Sequence, residues 1–410
     1  MTPLAGLVLL LCAQDPAIDA TVRSESYDFE IRIPAAWKRS PSSAPTFFRI
    51  DAPAGEIAEG AAWLLHGEPN HPATLSFLAS EFRRRAETQY PGFEKLSERE
   101  DATAAGCPAY ICVFAAKPKG RDMVFVHAIV QRQLQEYFVL DAAAAKGERA
   151  KIEAMHDRIL ATLRFGLPMA KAREETLART TALMKGSGVR SELLGVQWHR
   201  ILVGKQKLGW QRTLLREGEV DGAPGYEFEM EMELEDVEGG RHHEISKGSF
   251  TADGAIQKVD FRKSVRAPRQ PAIEMKESSS LVRGNVKSVR EFLNVKLEKS
   301  VKVPEGTLLG DVADTMRRRL VLAGPGKYAL RVLLPFHDLP AAEDWEIAAS
   351  AKIRTDAGER ELMTALVKPD RQEMWEYLYE PGGALFQRKT PRNPFLLRRC
   401  TEEEAKRKGP

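Results

Sequence analysis

Residues Tyr226-Glu-Phe-Glu-Met-Glu-Met-Glu-Leu-Glu235 alternate an apolar or aromatic side chain with a glutamate at every step. A helix of 3.6 residues per turn would scatter those glutamates around its circumference, whereas a strand sends successive side chains to opposite faces. The stretch therefore reads as a strand with Tyr226, Phe228, Met230, Met232 and Leu234 on a buried face and the acidic row in water. Burying five such side chains contributes about 8–15 kcal/mol as an upper estimate, comparable to the net stability of a whole domain. The strand must find a core or a partner.

The same period of two recurs on both sides of it. Val196–Leu202, Leu208–Arg216, His243–Phe250, Ile256–Val265, Ile273–Val282 and Val286–Val303 read as further strands. Gly204, Asp221-Gly222, Gly239-Gly240, Asp253-Gly254 and Gly284-Asn285 separate them as turns. Consecutive strands with short turns make an antiparallel meander. A helix over Leu309–Leu322 follows, then strands at Tyr328–Leu334, Trp345–Ile353, Glu359–Val367 and Met374–Tyr379. Residues 195–400 are thus expected to form one antiparallel β-rich domain with one helix. The helix either shields the apolar face permanently or leaves it to a guest molecule.

Residues 22–166 carry a different order. Tyr27-Asp-Phe-Glu-Ile-Arg-Ile33 alternates and stops at Pro34, as a half-buried strand does before proline. Short strands at Thr46–Ile50 and Ala61–His66 precede a helix over Pro72–Glu87. Three more strands, Ala109–Phe114, Met123–Gln131 and Glu136–Leu140, precede a helix over Lys146–Phe165 with Ile152, Met155, Ile159 and Leu163 on one face. This is an α+β sandwich. The fold class of the whole chain is α+β, an antiparallel α/β sandwich followed by the larger curved sheet. Residues 167–194 read as a helical linker and 401–410 as a disordered basic tail.

The apolar run at residues 4–13 has the length of a signal-peptide core, about half of a membrane span, so 1–20 reads as a probable signal peptide and the protein as exported, periplasmic or extracellular. Lipid anchoring at Cys12 is disfavoured by the bulky Leu11 before it. No later run reaches about 18 apolar residues, so no transmembrane segment is expected in the mature chain. Three cysteines then remain, Cys107, Cys112 and Cys400, an odd number that implies no disulfide framework. With 61 basic against 58 acidic residues, a net +3, the field is too weak to imply a polyanion, and no nucleic-acid partner is expected.

The phrase Tyr27-Asp-Phe-Glu-Ile-Arg-Ile-Pro-Ala-Ala-Trp37, the later Ala105-Gly-Cys-Pro-Ala-Tyr110 and the helix ending Thr162-Leu-Arg-Phe165 resemble the PsbP-like and DcrB-like α/β sandwich superfamily. The likeness covers about a third of the chain. It implies a frequently exported, non-enzymatic accessory module, and it brings no catalytic residues with it. The Gly204-Lys-Gln-Lys-Leu-Gly-Trp210 hairpin and the uninterrupted meander resemble the curved sheets of LolA/LolB-type lipoprotein carriers, which implies a concave apolar face.

Catalytic patterns are absent from the sequence. Gly324-Pro-Gly-Lys327 lacks the glycine and hydroxyl residue of a phosphate loop, and Gly186-Ser-Gly188 sits at a helix end rather than on a nucleophile elbow. His242 and His243 are strand neighbours that point apart, and no Cys-x-x-Cys or His-Glu-x-x-His spacing suggests zinc. His66 and His71 flank a loop without a third ligand. A Cys107 or Cys112 thiol with His127 is the only nucleophile pairing the strands offer, and Ile111-Cys-Val-Phe114 reads as core. The acidic row from Glu227 to Glu235 reads as a solvated face, and Arg317-Arg-Arg319 as cations at a helix C-terminus. The expectation is an exported, non-enzymatic envelope protein without cofactor or metal. It binds a lipid or other apolar ligand, or docks on an envelope protein, through Trp210, Tyr226, Phe228, Met230, Met232 and Leu234. A cysteine-based hydrolase and a purely structural interaction protein are the alternatives.

Overall fold

The computed structural model describes residues 17–407, apart from 25–26, 43–45, 70–71, 168, 170, 186–187, 205, 236–238, 356–357, 370–373 and 390–394. Cys12 and nearly all of the leader assigned to 1–20 lie outside the described residues, as do His71 and Gly186. The chain divides after residue 167 into two compact units.

In the first unit seven antiparallel strands run in the order Lys38–Ser40, Thr46–Asp51, Ala61–Gly67, Glu136–Ala145, Met123–Gln133, Cys107–Ala116, Glu94–Ala104. Helix α1 (Leu75–Gln89), capped by the Thr74 hydroxyl, lays Leu78, Ala79 and Phe82 on the Tyr110, Cys112 and Phe114 face. Helix α2 (Arg149–Ala161) covers the opposite face with Ile152, Met155 and Ile159, beside the small sheet formed by Ile18–Ser24, Phe29–Pro34 and Arg164–Phe165. Strand Cys107–Ala116 is buried on both faces and is an unbroken apolar run, as a central strand between two helical layers must be. Ile18–Ser24 begins inside the stretch assigned to the leader, so 18–20 belong to the folded unit.

The second unit is a large, curved, almost wholly antiparallel sheet. From one edge it runs through Val295–Lys302, Asn285–Phe292, Ile273–Val282, Ile256–Arg266, Arg241–Thr251, Ala223–Glu235, Gln206–Val220 and Gly195–Val203. It continues through Phe395–Cys400, Leu385–Lys389, Trp375–Tyr379, Gly358–Pro369, Ala341–Ile347 and Gly326–Leu333, and ends on Thr307–Leu309, the one strand paired in parallel. The run expected over 286–303 is two strands, because Leu293 and Asn294 both take positive φ (46° and 63°) and turn the chain back.

The sheet curls until its far strand meets Ile256–Arg266, the fourth strand from the opposite edge. The Gln257 amide, on Ile256–Arg266, donates to the Thr307 carbonyl at 3.0 Å and accepts from the Leu309 N–H at 2.7 Å. Gly248 permits the tight approach this curvature requires: a Cβ there would lie 2.1 Å from the Lys258 carbonyl oxygen and 2.7 Å from the Phe228 ring.

Helix α4 (Gly310–Ala323) lies against the concave side and is buried almost all round, with Val312, Ala313, Met316 and Leu320 at 0% exposure. It shares one core with Tyr226, Phe228 and Phe250 on one side and Trp345, Tyr377 and Tyr379 on the other. Arg317, Arg318 and Arg319, expected as cations at the helix C-terminus, are buried. Arg317 pairs with Glu343, Arg318 donates to the carbonyls of Gly383 (3.1 Å) and Leu193 (2.9 Å), and Arg319 donates to those of Ala252 and Met184. Three guanidiniums thus tie one helix to three separate walls, each hydrogen-bonded as a buried charge must be.

Helix α3 (Lys171–Lys185) is no free linker. Its buried Leu177 and Met184 pack into the second unit, its Thr180 hydroxyl accepts from the Ala329 N–H at 3.1 Å, and Arg173 pairs with Asp344 at 2.9 Å. Helix α3 therefore packs on the large sheet as well, against Gly326–Leu333. The tail is corrected as well: helix α5 (Glu402–Lys406) opens with a capping box between Thr401 and Glu404, and the Lys207 ammonium accepts the role of C-terminal partner by donating to the Ala405 carbonyl at 2.5 Å.

Candidate functional site

The Asp221-Gly222 turn has positive φ at both residues (51° and 82°) and pairs Val220 with Ala223, which fixes the register of the two longest strands. Met230 then lies opposite Thr213 and Ser246, and Met232 opposite Gln211 and Glu244. The next strand outward places Gln197 beside Thr213 and His199 beside Gln211. Apolar and polar side chains therefore share the concave face, in layers.

The expected ligand row is spread along those layers. Tyr226 is fully buried in the core against Phe250, ring centroids 5.1 Å apart, and its hydroxyl accepts from the Arg190 N–H at 2.6 Å. Phe228 and Met230 wall a small cavity, while Met232 and Leu234 are half-buried farther along the strand. Trp210 belongs to the other face. It pairs with Glu233 across the hairpin and packs on Trp198 at 5.4 Å, so parity separates it from the apolar row it was expected to join.

The cavity occupies about 50 Å³ between the first half of α4 and the sheet. Asp311, Asp314, Thr315 and Arg318 face it from the helix, Gln197, His199, Gln211 and Thr213 from one wall, and Tyr377, Tyr379 and Arg388 from the other. Several polar atoms around it are buried without a hydrogen-bond partner among the described residues: Asp311 Oδ2, His199 Nδ1, Arg388 Nε and, beside Asp311, Ser246 Oγ. Such groups are costly in a fold, and four of the twelve found among the described residues gather here.

His199 donates from Nε2 to the Leu385 carbonyl at 3.1 Å, which leaves Nδ1 as a lone-pair acceptor. Burial, reinforced by Arg388, Arg399 and Arg318, pushes His199 down to about 4, so the ring stays neutral. Burial pushes Asp311 up to about 7, with Asp314 and Glu244 adding to the rise and Ser246 and Arg317 opposing it. The residue keeps some exposed surface, but its Oδ2 has none. Burial likewise raises Glu244, against the pull of Lys263 at 3.5 Å. Desolvation, rather than charge pairing, dominates each of these shifts.

The other constellations resolve into structural roles. Three of the outward glutamates pair with side chains on adjacent strands: Glu227 with Arg216 (2.7 Å), Glu229 with Arg212 (3.3 Å) and Lys247 (3.5 Å), Glu231 with the His243 ring (3.2 Å). His242 faces the opposite way from His243. Among the described residues no cluster of three His, Cys, Asp or Glu side chains could hold a metal ion. Cys112 lies opposite His127 across the strand pair, and His127 Nδ1 meets Asp141 Oδ1 at 2.5 Å under the stacked ring of Phe82. Cys112 is fully buried, however, and burial pushes its thiol up, the opposite of what activates a nucleophile. Cys107 and Cys400 are half-buried and also raised by burial. No helix among the described residues is long and apolar enough to cross a membrane.

Neither a family model nor a curated protein sequence matches the chain. Parts of it align with solved structures. A β-barrel-like protein of a domain of unknown function, DUF1849, from Brucella abortus is 12% identical, with a TM-score of 0.36, covering 50% of this chain and 93% of its own. Cyanobacterial PsbP from Synechocystis is 11% identical at a TM-score of 0.29, covering 36% of this chain and 92% of its own. The Ran-binding protein Mog1p of Saccharomyces cerevisiae is 9% identical at 0.28, over 36% and 94%. Scores this low assign neither ligand nor partner.

Proposed function

We propose that the chain is an exported, non-catalytic binding protein of the cell envelope, in which the second unit holds a small molecule on the concave side of its sheet and the first is an accessory module. The observation that carries this reading is the cavity at α4, where buried polar atoms from helix and sheet converge without partners. Its size decides between ligand classes. About 50 Å³ admits a few atoms, whereas sites for larger ligands run to roughly 300–1,000 Å³. With α4 in place the apolar row serves as wall and core, so an acyl chain has no room beside it.

A second reading, docking on an envelope protein, is favoured by the open edge strand Val295–Lys302, whose outer side pairs with no strand among the described residues. An extended segment of a partner could add there, although Lys296, Lys299 and Lys302 are the side chains that usually deter such pairing. Thermal-shift screening of small polar compounds and fatty acids, with native mass spectrometry to count bound molecules, tests the first reading. A class of small polar molecule should raise the melting temperature with one bound per chain. Stoichiometric palmitate uptake, or no response to any small molecule at millimolar concentration, overturns it.

A further inference from the structure

We infer that the cavity at α4 takes a short hydroxycarboxylate, its carboxylate held by Arg388 with Asp311 and its hydroxyl donating to His199 Nδ1. This rests on the ligand-binding reading of the second unit and gives it a chemical class.

The charge inventory points to an anion. The Arg388 guanidinium stacks on the Trp375 ring at 4.9 Å and makes no hydrogen bond or ion pair among the described residues, with Nε buried. Arg318 spends its donors on the Gly383 and Leu193 carbonyls and meets no carboxylate. Asp314, the other acid on this part of the helix, shares Arg317 with Glu343 and sets its remaining charge against Arg318. Glu244 is bound to Lys263, and Arg399 to Glu380. Asp311 could balance Arg388, but its burial favours the neutral carboxyl, which donates a hydrogen bond instead. The Arg388 guanidinium thus faces the cavity without a carboxylate partner among the described residues, and a charge-assisted contact from a guest carboxylate would supply one.

The remaining groups define the rest of the molecule. His199 Nδ1 is an acceptor that a carboxylate would repel and an O–H would satisfy. Phe228 and Met230 close the space at the other side. A volume of about 50 Å³, a few water-sized spheres, limits the guest to about five heavy atoms. Glycolate fits that description.

The groups facing Asp311 are Asp314, Arg317 and Arg318 on its own helix, Glu244 and Ser246 on one strand with Lys263 beyond, and His199, Arg388, Tyr377 and Tyr379 across the cavity. Once Asp311 ionises it repels the guest, so affinity should be flat at acidic pH and fall about tenfold per unit above 7.

The test is titration of the full chain with sodium glycolate, followed by ligand-observed NMR and calorimetry, against glycolamide as the neutral isostere and hexanoate as the oversized acid. Glycolate should saturate one site and glycolamide and hexanoate should bind at least tenfold more weakly. Asp311→Asn should remove the fall above pH 7, and Arg388→Lys, which keeps the charge but loses Nε, should weaken glycolate at least fivefold at an unchanged melting temperature. Glycolamide binding as tightly as glycolate overturns the carboxylate while leaving a small-molecule site. Absence of saturable binding by either, with another small molecule binding, overturns the class alone; absence with every small molecule overturns the underlying reading too. Should the Arg388 variant fail to fold, the glycolate-to-glycolamide ratio and the Asp311→Asn pH profile decide the matter.

Discussion

Replacing Asp311 by asparagine should stabilise the second unit increasingly as pH rises. Burial lifts this carboxyl from 3.8 to about 7 in the folded chain. A folded value above the unfolded one means that the fold prefers the protonated form. The cost is absent below pH 3.8, grows as pH climbs through the window up to about 7, and is constant above it. At about 1.36 kcal/mol per unit the unchanged chain carries about 4 kcal/mol of this cost at pH 8 and about 1 kcal/mol at pH 4.5. The residue is not wholly enclosed, so relaxation and entering water should reduce the difference of about 3 kcal/mol to about 1.5–3. Asparagine has nearly the same shape and never ionises. Subtracting the two stability curves cancels every titrating group they share. Urea unfolding at several pH values, read by pulsed hydrogen exchange at peptides of the second unit, keeps the first unit's transition out of the comparison. Two curves that stay parallel within about 0.5 kcal/mol from pH 4.5 to 8 would refute the reasoning, because the carboxyl would then ionise in the fold as readily as in water.

Phe228→Ala should lower the stability of the second unit by about 3–5 kcal/mol, since a ring at 6% exposure is removed between α4 and the sheet, and the same urea series would show it. Gly248→Ala should cost at least as much as ordinary overpacking, about 1–3 kcal/mol, because its Cβ meets the backbone oxygen of Lys258 rather than a movable side chain; calorimetry would detect the lowered transition. Glu343→Gln should cost about 1–3 kcal/mol in the same urea series, less than a fully stranded buried charge would, because Arg317 keeps its pair with Asp314. Iodoacetamide should leave Cys112 unmodified in the native chain and alkylate it only on unfolding, as peptide mass mapping would report; rapid native labelling would reopen the hydrolase reading.

Much of the β architecture was legible because the sheet is two-sided. A row such as Tyr226 to Leu234 can satisfy one core and one wet face only as a strand. The polar lining was written in the same rows and could have been read from them. The two-residue turn at Asp221-Gly222 sets Val220 opposite Ala223, and counting back from it puts Gln211 and Thr213 beside Met232 and Met230 and sends Trp210 to the glutamate face. The capping box Thr401-Glu-Glu-Glu404 was equally open to inspection beneath a basic, proline-bearing tail.

Other features carry no local signal. Glu94–Ala104 is an edge strand with most of its side chains in water, so it lacks the apolar alternation that marks its neighbours. Arg317 to Arg319 read only as cations at a helix C-terminus because their partners, Glu343 and the carbonyls of Gly383, Leu193, Ala252 and Met184, are distant in sequence. Whether α4 shields the apolar face or yields it depends on those same long-range bonds.

Native-state hydrogen exchange along Gly310–Ala323 asks that last question most directly. If α4 is a fixed part of the core, its amides should exchange only through global unfolding, as slowly as those of Tyr226–Glu235. Exchange orders of magnitude faster in the helix than in that strand, slowed again by a fatty acid, would show the helix leaving the sheet and the apolar face open to a lipid guest.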